Sequence, residues 1–221
     1  MATSGPHSDG HGGKRGSRLV FRAAILLTVP AAVTSGCGPY RVVPGPLVPF
    51  GVAEGGRLPG RVSIDLSGLR HVRATGGNTS PSGIWLYYDT DCTTALRRSL
   101  VNFAEAYFEK AGPMTSERDT DYDYLLSPAF PELNFRCSPD GTKVFTIRAT
   151  GKLFSREGGL LYVAEVVGTG RQGAEAHGWP YAAQHRFAAE QAIADVLHRL
   201  FCELHSSGAV RKYSRRTRPA R

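Results

Sequence analysis

From residue 61 onward the chain alternates in a way that predicts its elements. Val62, Ile64 and Leu66 interleave with Arg61, Ser63 and Asp65, the period-two pattern of a half-buried strand. A Gly/Ser/Thr-rich stretch, 68–83, reads as a loop and leads to Ile84-Trp85-Leu86-Tyr87-Tyr88, a second short strand. Asp89-Thr90-Asp91 supplies capping oxygens, with Asp91 as the cap of a helix running to Ala111. Leu96, Leu100, Phe103 and Tyr107 lie along one face of that helix, and Gly112-Pro113 stops it. Tyr122–Leu126 opens the next strand, which Pro128 and Pro131 interrupt before Leu133–Cys137. In the clearest hairpin, Phe145, Ile147, Ala149, Gly151 and Leu153 take one face, and Thr146, Arg148, Thr150 and Lys152 the other. Arg156-Glu157-Gly158-Gly159 turns it and Leu160–Val167 returns. A last helix spans Ala182–Leu204, with Ala189, Ile193, Leu197, Leu200 and Leu204 toward the core. The order is β-(β)-α-β-β-β-α. It predicts an α/β (α+β) domain over 61–206, with one sheet of about four to five strands and two helices on one face.

The first forty residues have a different character. Lys14, Arg15, Arg18 and Arg22 precede the apolar run Ala23–Thr34, and Ser35-Gly36-Cys37 follow. A positive start, about a dozen apolar residues and a small-residue exit make the anatomy of an export signal. The run is too short to span a bilayer as a helix. Thr34-Ser35-Gly36-Cys37 resembles the lipobox of bacterial lipoproteins at its last three positions and departs from it at Thr34, where Leu is usual. The resemblance implies removal of 1–36, acylation of Cys37 and a membrane anchor through that residue. It also implies, with Gly38 next in line, sorting to an outer membrane facing the periplasm. The plainer alternative is an ordinary secretory signal cut near Ala32 or Gly36. Residues 37–60 then carry Pro39, Pro44, Pro46, Pro49 and Pro59 among glycines, which predicts a semi-extended tether. Its reach is on the order of 60 Å, at ~3.1 Å per residue.

Charge changes the picture less than its total suggests. The 221 residues carry a formal net charge of +8. Residues 1–36 hold four cations against Asp9, and 209–221 hold six with no acid, whereas the body between them has 17 Lys/Arg against 18 Asp/Glu. A nucleic-acid-binding domain carries its basic surface on the folded body, so nucleic acid is not an expected partner. The tail 207–221 reads as disordered. Its Arg211, Lys212, Arg215, Arg216, Arg218 and Arg221 are candidates for contact with an anionic surface (lipid headgroups, lipopolysaccharide phosphates or an acidic partner), and the plain alternative is a solubilising end.

The strand Asp121–Leu126 after the first helix, the hairpin with Gly158-Gly159 at its turn and the terminal helix Ala188–Leu200 together resemble a group of envelope lipoproteins. These include ABC-transport auxiliary, LptE-like and curli-secretion-like lipoproteins. The resemblance covers roughly 61–205 and rests on pattern. It implies a non-catalytic adaptor or assembly subunit with an envelope protein as partner. The broken strand at Pro128 and Pro131 and the long 68–83 loop depart from the simplest version.

Candidate chemistry is sparse. If Cys37 is acylated, Cys92, Cys137 and Cys202 remain. In a right-handed crossover Cys92 opens the first helix and Cys137 closes the following strand at the same end, which predicts a Cys92–Cys137 disulfide, with three reduced cysteines as the alternative. His198 and Cys202, four apart on a helix, could share a zinc ion, but two ligands do not complete a site and His205 lies too far along to be the third. Asp119-x-Asp121-x-Asp123 begins like a calcium loop and fails at Tyr124 and Phe130. His177 and His185 flank a stretch with Trp179 and Tyr181, where packing is the better reading. No nucleophile-elbow, metalloprotease, Walker or dinucleotide motif is present, so no cofactor and no catalytic residue is expected. The competing readings are a ligand-binding lipoprotein for a lipid, glycan or cation, using the 68–83 loop with Trp179 and Tyr181, and more remotely a secreted hydrolase with a spatially assembled site.

Overall fold

A computed structural model describes residues 40–49, 56–79, 85–116, 121–138, 140–173 and 180–217. All of them lie in the compact unit Pro39–Arg221. The strands are β1 (Tyr40–Val42), β2 (Leu58–Ile64), β3 (Arg73–Thr79), β4 (Trp85–Asp91), β5 (Phe108–Pro113), β6 (Tyr124–Cys137), β7 (Lys143–Ser155) and β8 (Leu160–Gln172). The helices are α1 (Thr93–Tyr107), α2 (Tyr181–Ser206) and α3 (Ala209–Thr217).

The strands form two sheets. A five-stranded sheet has the order β5-β2-β6-β7-β8 and a three-stranded one the order β1-β4-β3. In the larger sheet β2 runs parallel to both β5 and β6, with Val62 opposite Tyr124 and Ile64 opposite Leu126, while β6, β7 and β8 meander antiparallel. Helices α1 and α2 cover one face of it, and the core lies between them. The hairpin alternation is seen as read: Phe145, Ile147, Ala149 and Leu153 are buried toward the helices, and Gly158 turns the chain at φ 83°.

The close seating of α2 depends on missing side chains. A Cβ on Gly170 would stand 1.8 Å from the Ala188 carbonyl oxygen, and one on Gly168 would stand 2.3 Å from the Val196 nitrogen. Helix backbone therefore lies directly on strand backbone, and only glycine fits at these two positions.

Several expectations are corrected. The single sheet is two, because 68–83 is not a loop throughout: Arg73–Thr79 pairs antiparallel with β4 despite Gly76 and Gly77. Gly76 there has a packing reason, since a Cβ would meet the Phe135 ring at 3.0 Å. Helix α1 ends at Tyr107, where its apolar stripe ends, and Phe108 enters β5 as extended backbone. Pro128 and Pro131 do not divide the strand; Pro128 keeps its register opposite Gly151, and Pro131 falls within a register shift between Ala129 and Glu132 that accommodates its missing donor. Asp91 lies one residue before the N-cap, Cys92, and its carboxylate still accepts the Thr93 amide at 3.1 Å.

The tether expected over 37–60 is corrected over its described residues, 40–49 and 56–60, while 37–39 and 50–55 lie outside the described residues. Tyr40–Val42 is a strand parallel to β4. Beyond it the Gly45 amide donates to Glu190 Oε1 at 2.7 Å, the Leu47 amide to Ser99 Oγ at 2.8 Å, and Asn102 Nδ2 to the Leu47 carbonyl at 2.8 Å. Polar side chains of both long helices thus replace the water that a free proline-rich segment would bind. The expected disordered tail is a helix over Ala209–Thr217. Its pattern is amphipathic, with Val210 buried and the cations outward, which a count of charges alone does not reveal.

Candidate functional site

Two clusters of chemistry-bearing side chains sit along α2. Near its start, His185 is 1% exposed and caged by rings: Tyr88 stacked at 4.4 Å, Phe135 at 4.3 Å and Phe145 edge-on at 5.8 Å between centroids. Thr90 Oγ1 lies 2.6 Å from its Nε2, while Nδ1 has no hydrogen-bond partner among the described residues. Burial, and then the nearby Lys143 charge, push the imidazole down to about 4, so it is neutral at ordinary pH. Lys143, 3% exposed, donates to Gln184 Oε1 at 2.6 Å and lies 5.2 Å from the Tyr181 ring centroid; burial holds its amine below the usual lysine range.

Further along α2, His198 and Cys202 are brought together as the helical spacing requires, with Cys202 Sγ 3.6 Å from His198 Nε2. Tyr107, from the end of α1, joins them: its hydroxyl is 3.3 Å from His198 Nδ1 and 3.3 Å from Cys202 Sγ. Burial, then the Cys202 neighbour, raise the Tyr107 hydroxyl above its ordinary value, so it stays protonated and can serve as a donor. Its place one helix away, packed on Phe201 at 5.5 Å, explains why sequence spacing around α2 did not show it. His205 packs edge-on against the Tyr107 ring at 6.2 Å between centroids, with Nε2 3.0 Å from the Gly56 carbonyl oxygen. Among the described residues no three His, Cys, Asp or Glu side chains stand close enough to share a metal ion, so His198 and Cys202 lack a third ligand there. His198 also lines an open groove of about 780 Å³, with Val48, Phe103 and Ala194 as apolar lining and Arg171 and Arg199 at polar positions.

The other predicted residues fall as follows. Cys37, His177, Trp179, Asp119, Arg218 and Arg221 lie outside the described residues. Cys92 and Cys137 are not joined, which corrects the predicted disulfide. Strand β6 pairs with β2 only through Leu126 and runs eleven residues further, so that its end packs beside Tyr88 in β4, four residues before Cys92. Cys92 is buried in the core, and burial, followed by the Asp91 charge, pushes its thiol up to about 12. Asp121 and Asp123 serve Arg61, the first through its guanidinium and the second through its amide at 2.7 Å. Arg211, Lys212, Arg215 and Arg216 all stand on α3.

No family model and no curated protein sequence matches the chain. In fold it is similar to a crystal structure of protein XCC0632 from Xanthomonas campestris, assigned to the DUF330 family. The TM-score is 0.54 and the identity 14%, over 80% of this chain and 100% of that one. A minor lipoprotein from Acinetobacter baumannii is a more distant likeness, with TM-score 0.37 and 12% identity over 51% of this chain and 82% of that one. The first establishes a shared fold and the second is too remote to add to it.

Proposed function

We propose that this chain is an exported, lipid-anchored protein of the cell envelope whose domain faces the periplasm and works by binding. In that reading it is an adaptor or assembly subunit for envelope transport or secretion, with no catalytic residue. The observation that carries the reading is Ser35-Gly36-Cys37 after a basic start and an apolar run with the anatomy of an export signal, three residues before a strand of the folded domain. The Cys92 thiol is buried and its thiolate disfavoured, as in an inert core cysteine. With β1 seated in the domain, an acyl chain on Cys37 would hold the domain close against its membrane.

The test is mass spectrometry of the mature amino terminus with fractionation of both membranes, in wild type and Cys37→Ser. Expected is a chain beginning at an acylated Cys37 that fractionates with a membrane, and a Cys37→Ser chain that does not. Retention of Met1, or a soluble protein with an unmodified thiol, overturns the proposal.

The second reading, a ligand-binding lipoprotein, is favoured by the groove beside His198. A fluorescent fatty acid that binds the full chain, and is lost on Val48→Asp but kept on Arg97→Gln, would support it. Equal binding by both variants would remove it.

A further inference from the structure

Helix α3 carries Arg211, Lys212, Arg215 and Arg216, all exposed, and no acid. Its underside is fastened. Val210 is fully buried, the Ser214 hydroxyl donates to the Val210 carbonyl at 2.9 Å and lies 2.6 Å from the Tyr124 hydroxyl, and Tyr213 donates to Glu157. The cations are therefore presented together on a fixed element, as a tail free in solvent would not present them.

Four acids near this end of the domain are already engaged, while Glu203 in the last turn of α2 is exposed. Glu157 accepts from Tyr213, and that hydrogen bond holds its carboxyl below the usual range. Glu109 accepts the Gly60 amide at 3.0 Å, Asp123 accepts the Arg61 amide, and Asp121 pairs with the Arg61 guanidinium. Among the described residues Lys212, Arg215 and Arg216 make no ion pair. A surface carrying these three cations attracts an anionic partner and repels a cationic one.

Position chooses between kinds of anionic partner. The chain enters the domain at Tyr40, whose ring is 5.7 Å from Tyr88, which in turn stacks on His185 near the start of α2. Helix α3 follows the other end of α2, past Ser206. From His185 to Ser207 the helix axis covers about 33 Å at 1.5 Å per residue. Three residues from Cys37 to Tyr40 reach at most about 11 Å. Headgroup attraction decays within a Debye length of about 8 Å at physiological salt. With α2 upright, the basic helix stands beyond that attraction.

We propose that α3 is a docking surface for the acidic face of a protein partner, held at the end of the domain opposite its membrane anchor. The orientation rests on the lipid-anchored reading; the charge complementarity does not.

The test uses the full chain in detergent, and the same acylated chain in phosphatidylethanolamine–phosphatidylglycerol vesicles, each titrated with a labelled twenty-residue polyglutamate as the probe. Binding is expected in both settings, falling with added salt. The Lys212→Gln/Arg215→Gln/Arg216→Gln variant is expected to bind about tenfold more weakly. The charge-matched Arg97→Gln/Arg98→Gln/Arg136→Gln variant is expected to bind as wild type does. Should the triple α3 variant fail to fold, Arg215→Gln and Arg216→Gln alone are each expected to weaken binding about twofold. Wild-type affinity in the α3 variants, or equal loss in the charge-matched one, overturns the docking surface. Binding in detergent that disappears in vesicles overturns the orientation, because the helix then lies on the bilayer. A chain found without an acyl group removes the anchored reading and leaves the detergent titration as the measure of α3.

Discussion

His185 shows most plainly how one side chain ties this fold to pH. In the unfolded chain its imidazole titrates near 6.5, whereas in the ring cage it titrates at about 4. Between those values the unfolded state binds the extra proton, so stability is full above pH 6.5 and is lost as the pH falls toward 4. That depression corresponds to on the order of 3 kcal/mol. Urea melts at pH 7 and pH 4.5 should therefore differ by less in His185→Phe than in wild type, and identical pH dependence in the two chains would show that the cage does not depress the histidine. Gly170 makes a second prediction at this scale. Gly170→Ala puts a methyl group into the Ala188 carbonyl, with an expected loss of about 3 kcal/mol or more in the same melts. Gly158→Ala tests a different cost, φ strain in an open turn, and should lose about 1 kcal/mol.

At the level of elements, legibility in the sequence followed periodicity. Strand β7 reads cleanly because its inward residues alternate with polar ones over the whole element. Helix α2 reads nearly end to end because Ala189, Ile193, Leu197, Leu200 and Leu204 repeat at helical spacing. Strand β3 is hidden by Gly76 and Gly77, which lower strand propensity and are tolerated because Phe135 needs the space above Gly76. Strand β5 is hidden by following α1 without a turn: nothing between Tyr107 and Phe108 marks a change except the end of the apolar stripe. The Tyr107–His198–Cys202 cluster was legible only as its α2 half, since a contact between two helices leaves no local spacing to read. An element-level prediction concerns β8, an edge strand of the larger sheet, whose Thr169 amide is covered by Asp195 Oδ2 at 2.9 Å. Asp195→Ala leaves that donor and the Arg199 guanidinium without their acceptor, at an expected loss of about 1–2 kcal/mol. Hydrogen exchange should show the Thr169 amide opening faster, while Ala149 in the sheet interior keeps its protection.

For the whole molecule, the division into two sheets was the least legible feature. It depends on a three-residue strand within a proline-rich stretch and on the glycine-bearing strand β3. What holds the segment 40–47 is tertiary: Glu190, Ser99 and Asn102 reach it from α2 and α1. Removing all three (Glu190→Ala/Ser99→Ala/Asn102→Ala) should expose the Gly45 and Leu47 amides to exchange at least tenfold faster. The larger sheet should keep its protection, because β1 is not one of its strands. Simultaneous loss of protection in β6 and β7 would mean that the segment is integral to the core.

Three rungs of parallel ladder, Tyr40 with Tyr88, Arg41 with Asp89 and Val42 with Thr90, join the incoming chain to the rest. Tension applied upstream of Tyr40 runs along the axis of β1, so these rungs are loaded together in shear. They form a short ladder at the point where force enters, whereas twelve paired positions join β6 and β7. A pull at the amino-terminal side therefore yields first as a stretch of about ten residues peeling away, and this slack spares the hydrophobic interior from mechanical load.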